Sequence, residues 1–203
     1  MVVAAKYELP ELAAQLELTY TIDGNGAVEV AEVLTVDPAQ KDMPHLFRFG
    51  MELTMPHQYD QICYYGRGPQ ESYSDRKAAA LIGLYTEDVD DQYYPYIRPQ
   101  ESGNKTDVRY WKQIDRSGRG FEIRSDKPFQ ASALPYLTAD LDDGVEKHQR
   151  HSGELTPRDL VNVHIDAVQM GVGGEDSWGS WPRPAYRLPY GDYSFRFVLV
   201  PIR

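Results

Sequence analysis

The sequence predicts an all-β protein, a large antiparallel sandwich or two-sheet superstructure. Three observations carry this. Short stretches of strict two-residue apolar/polar alternation recur along the chain. Clusters of Gly, Asp, Asn and Pro separate them. Almost nowhere does the apolar pattern keep a helical period beyond one or two turns.

In chain order, residues 1–14 read as a tail or interdomain linker, and residues 15–203 as one domain. Leu16 to Ile22 alternates and is a half-buried strand; Asp23-Gly24-Asn25-Gly26 turns it into Val28 to Val36. The alternation of that return strand slips at Ala31-Glu32, which predicts a bulge. Phe47 to Met55, Tyr59 to Tyr65 and Leu81 to Tyr85 follow as strands. Between the last two lies a polar loop, 66–77, whose end with Ala78 to Ala80 predicts a helical turn capped by Ser72 or Ser74. Residues 93–104 hold Pro95 and Pro99, which exclude helix and central strand. Asp107 to Ile114 and Phe121 to Ser125 are strands around the turn Ser117-Gly118-Arg119-Gly120, and Phe129 to Leu134 pairs onward. Thr138 to Leu141 starts a short helix that Gly144 stops. Leu160 to Val168 and Tyr193 to Val200 complete the sheet. The loops 66–77, 93–106, 140–158 and 170–185 are longer than compact domains usually carry. Long loops on a rigid sheet are where binding concentrates.

A formal charge of −10 makes nucleic acid an unsuitable partner, because such a surface repels phosphates. No stretch approaches the length of a membrane span. No targeting segment is evident, so the expected compartment is the cytoplasm, with the periplasm as the alternative. The single cysteine, Cys63, excludes an internal disulfide, and its apolar strand makes it a core residue. Fifteen Tyr against six Phe favours half-exposed grooves and interfaces, since tyrosine joins an apolar ring to a polar tip.

The stretch Met170 to Gly179 concentrates the chemistry. Its three glycines, Gly171, Gly173 and Gly174, permit positive φ and close backbone approach. Glu175, Asp176, Ser177 and Trp178 follow. A Trp beyond such a turn offers a flat face to a sugar ring; equally, it plugs a core beside a bulge. Neither this stretch nor Gly66-Arg67-Gly68 opens a helix, so neither is a phosphate loop. His148 and His151 have a spacing that places two imidazoles on one helix face, but no third ligand accompanies them and Lys147 and Arg150 disfavour a cation. Asp140 to Gly144 lacks the closing glutamate of a calcium loop. Glu71, Asp75, Glu101, Glu175 and Asp176 are candidates for the paired carboxyls of glycoside hydrolysis. Arg67, Arg76, Lys105 and Arg109 share those loops and are expected to neutralise the acids as ion pairs that fix the loops.

Three motifs then occur in a telling order: Tyr65-Gly66-Arg67-Gly68-Pro69-Gln70-Glu71-Ser72-Tyr73-Ser74-Asp75-Arg76-Lys77, Tyr94-Pro95-Tyr96-Ile97-Arg98-Pro99-Gln100-Glu101-Ser102-Gly103-Asn104, and Ile165-Asp166 onward to Trp178. Over residues 15–203 the chain resembles the C-terminal, small-chain domain of lacZ-type β-galactosidases of glycoside hydrolase family 2. Ser102 stands where that family often has Asn, and Glu175 where it often has Asp. The resemblance implies a galactose mutarotase-like β-supersandwich, and a parent enzyme whose catalytic glutamates lie on a TIM barrel outside this sequence. It implies that Trp178 walls the active site against a β-galactoside such as lactose, with Ser177 and Asp176 supporting the loop. Arg67, Glu71, Asp75, Arg76, Glu101 and Asn104 become structural loop residues. It also implies Mg and Na in the parent enzyme, a homo-oligomer, and contact with the barrel and other domains. Met1 then begins either a natural small subunit or an excised piece. A stand-alone aldose mutarotase using His148 and His164, or a carbohydrate-binding module, is the alternative.

Overall fold

In the computed structural model the described residues are 1–40, 42–142, 144, 150–174 and 179–203. Among these residues ten strands form one antiparallel sheet: β1 (Val2–Leu9), β2 (Ala14–Ile22), β3 (Val28–Val36), β4 (Arg48–Pro56), β5 (Gln61–Gly68), β6 (Leu81–Asp88), β7 (Lys105–Ile114), β8 (Gly120–Leu134), β9 (Leu160–Gln169) and β10 (Tyr193–Ile202). The one α-helix among the described residues is α1 (Thr138–Leu141).

The long strand β8 organises the sheet. Gly120 to Arg124 pairs with β10, which leads on to β3, β2 and β1. Past Asp126-Lys127-Pro128, the same edge pairs with β9 from Gln130 to Leu134, and β9 pairs with β4. The other edge pairs with β7, then β5 and β6. The sheet therefore branches, and its branches close on one apolar core. That core holds Val30 and Phe197 from one branch, Phe49 and Val163 from the second, and Tyr64 and Trp111 from the third. Phe49 of β4 and Tyr193 of β10 meet at 5.6 Å between ring centroids, so the two branches pack directly.

The two hairpin turns are built alike. Asp23 Oδ1 accepts from the N–H of Asn25 and Ala27 at 2.8 and 3.0 Å, and Gly26 takes φ +88°. Asp115 Oδ1 accepts from Ser117 and Arg119 N–H at 2.8 and 3.0 Å, and Gly118 takes φ +84°. In each case an Asx turn satisfies backbone donors while glycine absorbs a left-handed φ.

Four expectations need correction. Residues 2–9 are not a tail: they form β1, paired with β2 along its whole length, because Ala13 turns the chain through φ 44°. No bulge interrupts β3; its register with β2 and β10 is continuous, and Glu32 simply occupies an inward position between Val30 and Leu34. No helical turn forms over 72–80: Ser72 is fully buried, its hydroxyl accepting from Thr106 N–H at 3.0 Å, and Tyr73 and Arg76 pair as a bridge. Cys63 points away from the core face of Ile62 and Tyr64, and its thiol lies 3.3 Å from the Thr86 hydroxyl.

Candidate functional site

The three loop motifs meet at one end of the molecule, and carboxylates join them. Asp75 of the first motif accepts from Val172 N–H at 3.2 Å and from Gly173 N–H at 2.8 Å. This contact explains two of the glycines. A Cβ on Gly171 would lie 2.3 Å from Asp75 Oδ2, and one on Gly173 2.9 Å from it. Close approach is thus the property used here; among the described residues of this stretch the positive φ falls at Gly179, at +108°. A groove of about 660 Å³ runs beside the loop, lined by Asp75, Gly173, Trp181, Arg183 and Tyr186.

Glu71 links the first motif to the second. It accepts from Gly103 N–H at 2.8 Å and also takes Arg76 and the Tyr96 hydroxyl. Arg76 bonds the same hydroxyl at 2.8 Å and lies over the Tyr73 ring. Asn104 donates to Ser72 O at 2.8 Å and Gln130 Oε1 at 2.9 Å, tying both motifs to β8. Arg67 bonds Asp107 at 2.5 Å and Ala80 O at 2.8 Å, and Lys77 reaches the same carboxylate at 3.1 Å. These two cations hold the Asp107 carboxyl below its ordinary range against its partial burial. Glu101 pairs with Arg48 at 2.8 Å. Glu71, Asp75 and Glu101 therefore spend their oxygens on backbone N–H groups and cations, which is the chemistry of loop fixation. Of the expected cation partners, Arg76 neutralises Glu71, whereas buried Lys105 pairs with Glu87 at 3.4 Å and Arg109 reaches the Asp107 carbonyl.

Glu175, Asp176, Ser177, Trp178 and His148 lie outside the described residues. Trp181, three residues beyond Trp178, is 49% exposed and edge-on to His45 at 5.4 Å. His151 Nδ1 lies 3.2 Å from Ile97 O, in the second motif.

Sequence reasoning missed a buried polar layer. Alternate residues of β9, Val161, Val163 and Ile165, enter the core. The intervening Asn162, His164 and Asp166 are buried as well, on the opposite face. Across the ladder His164 stands between Glu52 and Ser132, and Asp166 between Gly50 and Gln130. Gly50 lets β9 come this close: a Cβ there would meet Ile165 O at 2.2 Å. Arg48 Nε lies 3.7 Å from Asp166, yet neither carboxylate oxygen has a hydrogen-bond donor among the described residues. Burial, outweighing Arg48, raises the Asp166 carboxyl to about 7. Burial and the neighbouring Arg48 charge lower His164 to about 3, so its imidazole is neutral at pH 7. The signal for this layer was present as the polar half of β9's alternation, but alternation does not tell a covered face from a wet one.

Among the described residues no group of three or more His, Cys, Asp or Glu side chains is arranged to hold a metal ion. No helix among them is long and apolar enough to cross a membrane.

The family profile described as "Beta galactosidase small chain" matches residues 1–199. A β-galactosidase of Priestia megaterium is 36% identical over 204 residues, covering 100% of this chain and 19% of its own length. That of Streptococcus thermophilus is 32% identical over 97% of the chain and 19% of its own length. That of Lactobacillus delbrueckii subsp. bulgaricus is 36% identical over 93% of the chain and 18% of its own length. The chain thus spans about a fifth of the length of these relatives. The end-to-end match and the convergence of the three motifs lead to one conclusion: this chain belongs to the β-galactosidase small-chain family.

Proposed function

We propose that the chain is the small-chain part of a β-galactosidase that hydrolyses terminal β-galactosides such as lactose, and that it supplies one wall of the active site. In this reading Trp178 stacks on the sugar, Asp176 and Ser177 support its loop, and the catalytic glutamates lie on a TIM barrel elsewhere in the parent enzyme. The observation that carries it is the Asp75 carboxylate, which pins Val172 and Gly173 N–H and so fixes the base of the loop that leads to Trp178. A stacking residue is useful only on a held loop, because binding otherwise costs the entropy of ordering it. Mg and Na belong, on this proposal, to the rest of the parent enzyme. So do the surfaces that cover exposed Leu81 and Leu84 on the edge strand β6, and Tyr94 and Trp181 on the loops, through domain or oligomer contacts.

The test has two arms. The chain by itself is expected to show no turnover of a chromogenic β-galactoside. In the parent enzyme, Trp178→Ala is expected to cost about 1–3 kcal/mol of binding, the scale of one large buried side chain, seen chiefly as a raised KM. Unchanged steady-state constants in that variant would sink the assignment.

A further inference from the structure

We propose that the groove between the first two motifs receives an arginine-bearing segment from another part of the parent enzyme. The proposal rests on the preceding reading for the source of that segment, and on the groove itself for its chemistry. The groove measures about 1020 Å³, at the upper end of the ~300–1,000 Å³ typical of small-molecule sites. It therefore has room for one long side chain and a few residues of backbone around it. Ala78, Ala79 and Ala80 give it an apolar lining that suits the methylene stem of such a side chain. Tyr93, Tyr94 and Tyr96 add three aromatic rings.

Charge narrows the occupant to a cation. The groove's own cations are already matched: Arg76 by Glu71, Lys77 by Asp107 at 3.1 Å, and buried Lys105 by Glu87 at 3.4 Å. Asp75 and Asp91 are left over. Asp75 accepts from the N–H groups of Val172 and Gly173 and has no cation partner among the described residues. Asp91 is exposed, and its carboxylate has neither a hydrogen bond nor an ion pair among them. The groove therefore presents surplus negative charge, which attracts a basic side chain and repels phosphates and carboxylates.

Hydrogen-bonding capacity and ring geometry favour arginine over lysine. Gln92, beside Asp91 in the groove lining, is 7% exposed. Its Nε2 donates to Asp88 O at 3.1 Å, but its buried Oε1 has no donor among the described residues. A guanidinium carries five donors in a planar fork, enough for that oxygen and the Asp91 carboxylate together. The tyrosines already accept such a group: Arg76 lies over the Tyr96 ring at 5.9 Å. Tyr94, whose ring centroid is 4.6 Å from that of Tyr96, is 56% exposed and offers a further face. A compact ammonium cannot stack and fork at once. The source follows from coverage: most of the relatives' length lies outside the part that this chain matches, and arginine and aromatic side chains are enriched where protein surfaces meet.

Two-dimensional amide NMR of the 203-residue chain tests the site. The probes are the end-capped tripeptides Gly-Arg-Gly, Gly-Lys-Gly and Gly-Glu-Gly, at physiological ionic strength so that diffuse attraction is screened. Saturable shifts at Ala79, Gln92 and Tyr94 with a millimolar Kd are expected for the arginine peptide. Binding of the lysine peptide is expected to be weaker by about threefold or more, and the glutamate peptide is expected not to bind. Asp91→Asn and Tyr94→Ala change exposed positions, so folding is not at issue. Each is expected to weaken the arginine peptide by about threefold or more, the worth of one exposed ion pair or cation–π contact. Thermal melts test the source. Asp91→Asn is expected to leave the Tm of the 203-residue chain unchanged and to lower that of the parent enzyme, whereas a role inside this domain would move both. The proposal is overturned by the absence of saturable shifts, by a lysine peptide that binds as tightly, or by a parent enzyme whose Tm ignores Asp91→Asn. None of those results touches turnover or the assignment of Trp178, so the two readings fail separately.

Discussion

Asp75 carries its loop through two bonds that other residues make possible. Its oxygens reach Val172 and Gly173 N–H only because Gly171 and Gly173 present no Cβ to them. Gly171→Ala would put a methyl 2.3 Å from Asp75 Oδ2 and 3.0 Å from Tyr186 Cβ, so the carboxylate must move off its donors. A loss of about 1–3 kcal/mol is expected, the cost of orphaned hydrogen-bonding groups, together with faster proteolysis across 170–187. Gly153→Ala, where nothing stands within 4 Å of the added carbon, is the control. Thermal melts and limited proteolysis read both; a Gly171 variant that melts and resists protease like wild type would refute the pinning role. The glycines were legible in the sequence as a place of close approach. Their partner, nearly a hundred residues earlier in the chain, was not.

At the scale of elements, the hairpins follow local chemistry and were readable for that reason. The β7–β8 turn needs an acceptor at Asp115 and a left-handed residue at Gly118, and both requirements lie within the turn itself. Gly118→Ala meets open space, so its cost is conformational alone, about 1–2 kcal/mol for a left-handed φ. Gly120→Ala is expected to cost more, because its Cβ would lie 2.1 Å from the Gln113 carbonyl across the ladder. Urea denaturation of the two variants checks that order, and equal midpoints would contradict it. Strand β1 was missed for the opposite reason. Its pattern is weak, and its strand character comes from pairing with β2 along the edge of the sheet. The helical turn expected over 72–80 likewise gave way to longer-range bonds, from Ser72 to Thr106 and from Ser72 N–H to Asn104 O.

For the whole molecule, the consequence is a stability that depends on pH through buried acids. Glu32 is 2% exposed, lies inward on β3, and has one carboxylate oxygen without a hydrogen-bond partner among the described residues; burial raises it from 4.5 to about 7. Asp166, whose charge acts on the same region, is raised to about 7 as well. The native state therefore holds protons that the unfolded chain releases, for Glu32 between about pH 4.5 and 7 and for Asp166 between about pH 3.8 and 7. By linkage, this contribution is fully present below the unfolded value and lost as pH rises through the folded one. His164 works the other way across pH 3 to 6.5, since its folded value is depressed to about 3. Comparing wild type with Glu32→Gln isolates the acid. The variant is expected to gain stability on the order of 1–3 kcal/mol at pH 8 and little at pH 4. A difference in Tm that does not grow with pH would disprove a buried, uncompensated Glu32.

The sequence by itself determined the strands β2 through β10, save that it read the single strand β8 as two, Phe121 to Ser125 and Phe129 to Leu134, along with the two hairpin turns, the short helix and the three motifs that mark the family. Each of these is written in local periodicity or in turn chemistry acting within a few residues. Tertiary structure alone decided which partners the polar residues meet. Glu71, Asp75 and Glu101 were candidate acids by residue type and loop residues by resemblance; the structure adds the partners they bond, which come from other segments of the chain. Asn162, His164 and Asp166 alternate with apolar neighbours just as a wet strand face does, yet they are covered. Alternation records which side of a strand a residue takes; only the packing of α1 and the loops over β9 settles whether water reaches that side.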